Sequence, residues 1–116
     1  MRPRRRIAGA ILATGLCVTA ACAAALRHAT PEDARRLAPA WPGTTVESLE
    51  RGRSLYVRRC SGCHNLILPR AFPPDKWPAQ VDDMAQKARL GASERDDVVR
   101  FLVALAADPQ ANRATR

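Results

Sequence analysis

The sequence predicts an all-α domain of three helices, on two observations. Apolar residues recur at three- and four-residue spacing in three separate stretches, each with a residue suited to capping near its start. No stretch has convincing period-two alternation of apolar and polar residues, the mark of a half-buried strand. The chain has 116 residues and only 4% aromatics, which allows one small domain with a thin core. Chains of this kind usually need a metal, a cofactor or a disulfide to stay folded.

Residues 1–25 read as an export leader. "MRPRRR" is a charged opening, and the run from Ile7 to Leu26 carries no charge. Small residues offer cleavage at Ala21-Cys22-Ala23 or Ala23-Ala24-Ala25. Twenty uncharged residues are also long enough for a retained signal anchor, although the Ala, Gly and Thr content makes the span weakly hydrophobic. Thr19-Ala20-Ala21-Cys22 resembles a lipobox, which would make an acylated Cys22 the new N-terminus and tether the chain to a membrane; Thr19 stands where leucine is usual. By all three routes the chain leaves the cytoplasm. The leader also explains the charge. Of the formal +8, Arg2, Arg4, Arg5 and Arg6 supply half, leaving 15 basic against 11 acidic residues. A basic excess spent on an address gives little support to nucleic-acid binding.

Residues 26–44 are rich in proline (Pro31, Pro39, Pro42) and read as a tether that partly packs on the domain. Thr30 would cap a helix with Pro31 in its first position, and the flanking prolines hold it to about two turns. His28 lies here and is expected to be solvated.

The domain is expected over residues 45–108, followed by a C-terminal tail at 109–116. Thr44 or Thr45 caps the first helix, whose Val46, Leu49, Gly52 and Tyr56 fall on one face. Gly52 is unfavourable inside a helix by up to about 1 kcal/mol relative to Ala, so its presence predicts a second helix crossing closely there. The second helix is expected to start with Asp75 as its cap, to carry Trp77, Val81, Met84 and Ala88 on one stripe, and to end at Gly91. Ser93, with Asp96 three positions on, would cap the last helix, whose Val98, Phe101, Leu102 and Leu105 face the core until Asp108-Pro109 stops it. A long loop joins Asn65 to Pro74.

Between the first helix and that loop stands Cys60-Ser61-Gly62-Cys63-His64. Two thiols separated by two residues match the two vinyl groups of a haem, and the adjacent histidine supplies an imidazole to its iron. The pattern therefore predicts one covalently attached haem c, held by Cys60 and Cys63 with His64 as proximal axial ligand. Three other uses of the motif fit less well. Zinc needs four ligands, and His28 is the only other histidine. A thioredoxin-type pair wants a βαβ setting. A Cys60–Cys63 disulfide closes too small a loop to stabilise so poor a core. Haem attachment outside the bacterial cytoplasm agrees with the leader and places the protein in the periplasm.

With these residues the region from Thr45 to Ala107 resembles a class I c-type cytochrome in its short bacterial form. In that family a Gly-x-x-x-aromatic helix precedes the haem motif, as Gly52 and Tyr56 do here, and an aromatic of the last helix packs on the glycine, the role of Phe101. The resemblance implies a small cytochrome c-like fold, three helices wrapped around one haem. It also implies a methionine as sixth ligand, and Met84 is the only one beyond Met1. Some small members place this Met seven residues after a Trp, as Trp77 and Met84 stand here. Longer relatives carry it in a loop farther from the motif, whereas Met84 lies 20 positions after His64. Packing of Met84 in the core, ligation by Lys76, Lys87 or His28, and an open coordination site are the alternatives.

A His–Met pair leaves no position for substrate and favours Fe(II), so the expected role is one-electron transfer rather than catalysis, either as a free carrier or as the electron-transfer subunit of a larger oxidoreductase. A haem sensor, gas binder or peroxidase-like domain with an open distal site is the other class. Arg58, Arg59 and Arg70 flank the motif; they either attract an acidic patch on a redox partner or form an ordinary solvated face.

Overall fold

The computed structural model describes residues 26–61 and 65–113. Its elements are α1 (Pro31–Leu37), α2 (Val46–Cys60), 3₁₀ turns at Pro69–Ala71 and Pro74–Lys76, α3 (Trp77–Ala85), α4 (Ala92–Ala106) and α5 (Pro109–Arg113). There is no strand among the described residues. The all-α class is as the sequence predicts.

Helix α4 is the centre of the molecule. Phe101 to Ala106 are all buried, so its second half is apolar all round and must be covered on every side. Helix α2 crosses its first half, α3 and the two 3₁₀ turns cover a second side, and α1 lies along its end. The α2–α4 crossing is close because Gly52 has no side chain. A Cβ there would overlap the backbone carbonyl of Asp97 and lie 2.9 Å from the Phe101 Cβ. The glycine thus meets a backbone carbonyl as well as the expected aromatic. Leu49, Phe101 and Leu102, all fully buried, fill the seam on either side, and Arg51 pairs with Asp97 at its rim, 3.0 Å apart.

Thr45 caps α2 in both senses. Its hydroxyl accepts the Ser48 N–H at 3.1 Å, and the Ser48 hydroxyl oxygen accepts the Thr45 N–H at 3.0 Å. Two boundaries differ from expectation. Asp75 sits inside a 3₁₀ turn, and α3 begins at Trp77 with Pro78 in its first turn and no side-chain cap. Proline lacks an N–H to be capped and suits that position, so the helix starts without Asp75. Helix α3 also stops at Ala85 rather than continuing to Gly91. The reversal is made by Arg89, which takes a positive φ of 54°, while the Leu90 N–H reaches back to the Ala85 carbonyl at 2.9 Å. Gly91 is extended and caps α4 instead, with Glu94 accepting its N–H at 3.0 Å. Ser93 lies inside α4, so the expected Ser93–Asp96 cap is replaced by Gly91 and Glu94, two residues earlier.

The segment 26–44 is seated on the domain along much of its length. Leu26 and Leu37 join the core, Thr30 caps α1 with Asp33, and the Arg53 guanidinium donates to the Leu26 carbonyl at 2.7 Å. The side chain of Asp33 is fully buried, and it is satisfied several times over. Arg27 grips it with two bonds of 2.6 and 3.0 Å, the Thr30 N–H and hydroxyl donate at 2.9 and 2.8 Å, and Arg36 adds a bond of 3.1 Å. Burial opposes ionisation of Asp33, yet the Arg27 and Thr30 hydrogen bonds outweigh it and hold the carboxyl well below its usual range. Arg27 also donates to Asp108 at 2.8 Å, which ties the start of the described chain to the end of α4. Beyond it, residues 109–113 of the expected tail form α5, whose first turn donates the Gln110 N–H to Asp108 at 2.9 Å.

Candidate functional site

The second half of α2, α3 and the middle of α4 enclose a cleft lined by Tyr56, Cys60, Ile67, Trp77, Met84 and Leu102, among others. Helical spacing explains the convergence. Tyr56 and Cys60 are four apart on α2, Trp77 and Met84 seven apart on α3, and Val98 and Leu102 four apart on α4. The walls are almost wholly apolar, and the enclosed part of the cleft measures about 60 Å³. Two large hydrophobic side chains on its rim remain in water, Ile67 at 38% and Met84 at 39% exposure. They are the large hydrophobic residues left exposed among the described residues. Apolar groups exposed singly mean little, but two at the mouth of one apolar cleft mark a place where something apolar sits.

Two aromatic side chains, Tyr56 and Trp77, line the cleft, and Phe72 packs on Trp77 from outside it. Trp77 meets the edge of Phe72 at 5.2 Å and of Tyr56 at 6.5 Å, both nearly perpendicular. The Trp77 indole N–H donates to the Pro69 carbonyl at 2.8 Å, and the Tyr56 hydroxyl to the Ile67 carbonyl at 2.6 Å. Burial pushes the Tyr56 hydroxyl up to about 12, helped by the nearby Cys60 and opposed by its bond to Ile67. Tyr56 is therefore a protonated donor throughout the neutral range.

Of the site residues expected from the sequence, Cys60 and Met84 are brought to the same cleft. Cys63 and His64 lie outside the described residues, as do Cys22 and the whole 1–25 leader. His28 is not at the cleft: it is exposed, and its Nδ1 lies 2.8 Å from Glu50 on α2. Burial works against ionisation of Glu50, and the Ala29 N–H and His28 more than offset it, keeping that carboxyl below its usual range. Lys76 and Lys87 are exposed at opposite ends of α3. Arg58 is exposed on a separate groove beside Glu47 and Ser54, Arg70 is exposed on the first 3₁₀ turn, and Arg59 donates to the Ala88 and Arg89 carbonyls at 3.3 and 3.2 Å. Among the described residues no group of three or more His, Cys, Asp or Glu side chains is placed to hold a bare metal ion, and no helix is long and apolar enough to cross a membrane.

Ile67, Gln80 and Leu90 are site residues that sequence reasoning missed. Gln80 had a signal, since it lies three after Trp77 and four before Met84 on the same face. Ile67 and Leu90 sit outside helices, where no periodicity identifies a wall. Comparison of the chain with protein-family models, with curated proteins and with solved structures returned no match.

Proposed function

We propose that the protein is an exported c-type cytochrome that carries one electron at a time between redox partners, free or as the electron-transfer subunit of a larger oxidoreductase. The observation that carries this reading is the convergence of Cys60 and Met84, one on the Cys-x-x-Cys-His motif and the other 24 positions away, on one apolar cleft with an exposed apolar rim. The donor chemistry fits a haem: thiols for its vinyl groups, an imidazole and a thioether for its iron. The enclosed volume is far too small to surround a macrocycle, so a bound haem would stay partly exposed at the cleft mouth, as electron transfer to a partner requires. A bound haem supplies one-electron iron chemistry.

The chain's own residues do the rest. Cys60 and Cys63 would hold the group covalently, and His64 and Met84 would serve as ligands to its iron, leaving no position for substrate. Tyr56, Trp77, Val98 and Leu102 keep water from the inner wall, and a soft sulfur donor in an apolar setting favours the reduced state. Arg70 and Arg59, exposed near the motif, offer positive charge to an acidic surface of the partner. The charged opening and uncharged run of residues 1–26 support export to the periplasm, with attachment to the membrane if Cys22 is acylated or the anchor retained.

Optical spectra of the purified protein, oxidised and reduced, with and without carbon monoxide, test the reading. A low-spin reduced form that resists carbon monoxide, and a weak red-edge band when oxidised, are expected. Avid carbon monoxide binding by the wild type would transfer the protein to the open-site sensor class.

A further inference from the structure

The two aromatic donors of the cleft share a property that the electron-carrier reading does not require. Tyr56 comes from α2 and Trp77 from α3, yet both bond to carbonyls of one short loop, Ile67 and Pro69, two residues apart. Both side chains are buried, at 4% and 3% exposure, and they meet each other edge to face. Phe72, at the loop's far end, packs its edge on the same indole. Packing holds the loop as well: Pro69 is buried, Leu66 and Phe72 rest on the core, and the first 3₁₀ turn lies against α4. Residues 65–68 are irregular, and the first 3₁₀ turn adds a backbone bond from the Ala71 N–H to the Leu68 carbonyl at 2.9 Å. Its Ile67 side chain points into water at the cleft mouth.

We infer that Tyr56 and Trp77 form a positioning pair that fixes the 65–72 loop as the wall of the cleft, and so sets how tightly the cleft closes on its occupant. The inference rests on the proposed haem site but concerns the chain's own loop. Two buried neutral donors are suited to this task. Each loses a water partner on folding and must find a carbonyl, so the loop is held at two fixed heights rather than merely packed against the core. The site then stays closed because the protein is built closed, which keeps water from the iron side and supports the weak Met84 ligand. Tyr56→Phe removes the first bond and keeps the ring, its edge contact and nearly all the buried area.

The test uses the haem-loaded full chain with Tyr56→Phe, Trp77→Phe and a control, Thr44→Val. The control removes a comparable hydroxyl-to-carbonyl bond, Thr44 to Trp41 at 2.7 Å, at a place remote from the cleft. Amide exchange at Ala71, whose N–H is bonded within the loop, is expected to quicken about five- to tenfold in Tyr56→Phe, the size of one lost hydrogen bond. The same variant should lower the reduction potential and bind carbon monoxide faster, because a loosened wall admits water. Thr44→Val should leave all three unchanged while lowering thermal stability. Unchanged exchange in Tyr56→Phe overturns the inference. So does faster exchange with an unchanged potential and carbon monoxide rate, since the loop would be clamped without positioning anything. Loss of the cytochrome reading is a separate result, visible in the wild type as extractable or absent haem before any variant is made.

Discussion

Gly52→Ala is the substitution in which helix propensity and packing disagree most sharply. Inside an isolated helix, alanine is favoured over glycine by about 1 kcal/mol. At the α2–α4 crossing the added Cβ would overlap the Asp97 carbonyl oxygen, lie 2.5 Å from its carbon and 2.9 Å from the Phe101 Cβ. Two of these three atoms are backbone of a central helix and cannot rotate aside. The helices must separate, which loosens the seam that buries Leu49, Phe101 and Leu102. Overpacking typically costs about 1–3 kcal/mol, and a backbone clash belongs at or above the top of that range. Set against the propensity gain, the net loss is about 2 kcal/mol. For a domain of this size each kcal/mol moves the midpoint by roughly 4–8 °C, so Tm should fall by roughly 8–16 °C. Thermal unfolding of the haem-loaded protein followed by far-UV circular dichroism measures it, with Gly52→Leu expected to be worse still. An unchanged or raised Tm in Gly52→Ala would refute the close crossing, because propensity alone predicts stabilisation.

Two further outcomes are expected. Asp33→Asn should cost about 2 kcal/mol, the order of a charge-assisted hydrogen bond lost from a buried site. Because the folded Asp33 titrates below its ordinary value, its contribution is complete above about pH 4 and is lost as the pH falls below that. Urea unfolding across pH 2.5–7 should therefore show a steeper acid loss in the wild type than in Asp33→Asn, and parallel curves would contradict the Arg27–Asp33 pairing. Met84→Leu keeps the apolar bulk and should cost less than about 1.5 kcal/mol in packing, but it should abolish the red-edge band and open the iron to carbon monoxide. A spectrally silent Met84→Leu would make Met84 a cleft wall rather than a ligand.

How far the sequence carried the structure depended on whether the determinant was local. The Thr45 cap, the α2 stripe and the Gly52 crossing were legible because each is written within a few residues or as a single exception to propensity. The α3 start was misplaced because two features competed, an acidic cap candidate at Asp75 and a proline at position 78, and the proline governed. The α3 end was misplaced because Arg89, a residue that pays roughly 1–2 kcal/mol for a left-handed conformation, turns the chain where Gly91 was the expected breaker. The Arg27–Asp33–Asp108 network joins residues 81 positions apart, and nothing in the local sequence signals that the proline-rich segment would be seated there. At the cleft, Met84 and Trp77 were legible from their seven-residue spacing. The loop wall at Ile67 was not, because it lies outside any helix and its carbonyl is held by a hydrogen bond from Tyr56 rather than by any pattern of its own.

The central claim is that Cys60 and Cys63 carry a haem covalently at this cleft, and intact mass measurement joined to acid-acetone extraction tests it most directly. Protein produced in a host that attaches haem to exported chains should gain the mass of one haem and stay red after extraction, while Cys60→Ala and Cys63→Ala should weaken or abolish that retention. A wild-type chain of unmodified mass, or one whose colour passes wholly into the solvent, would contradict the account.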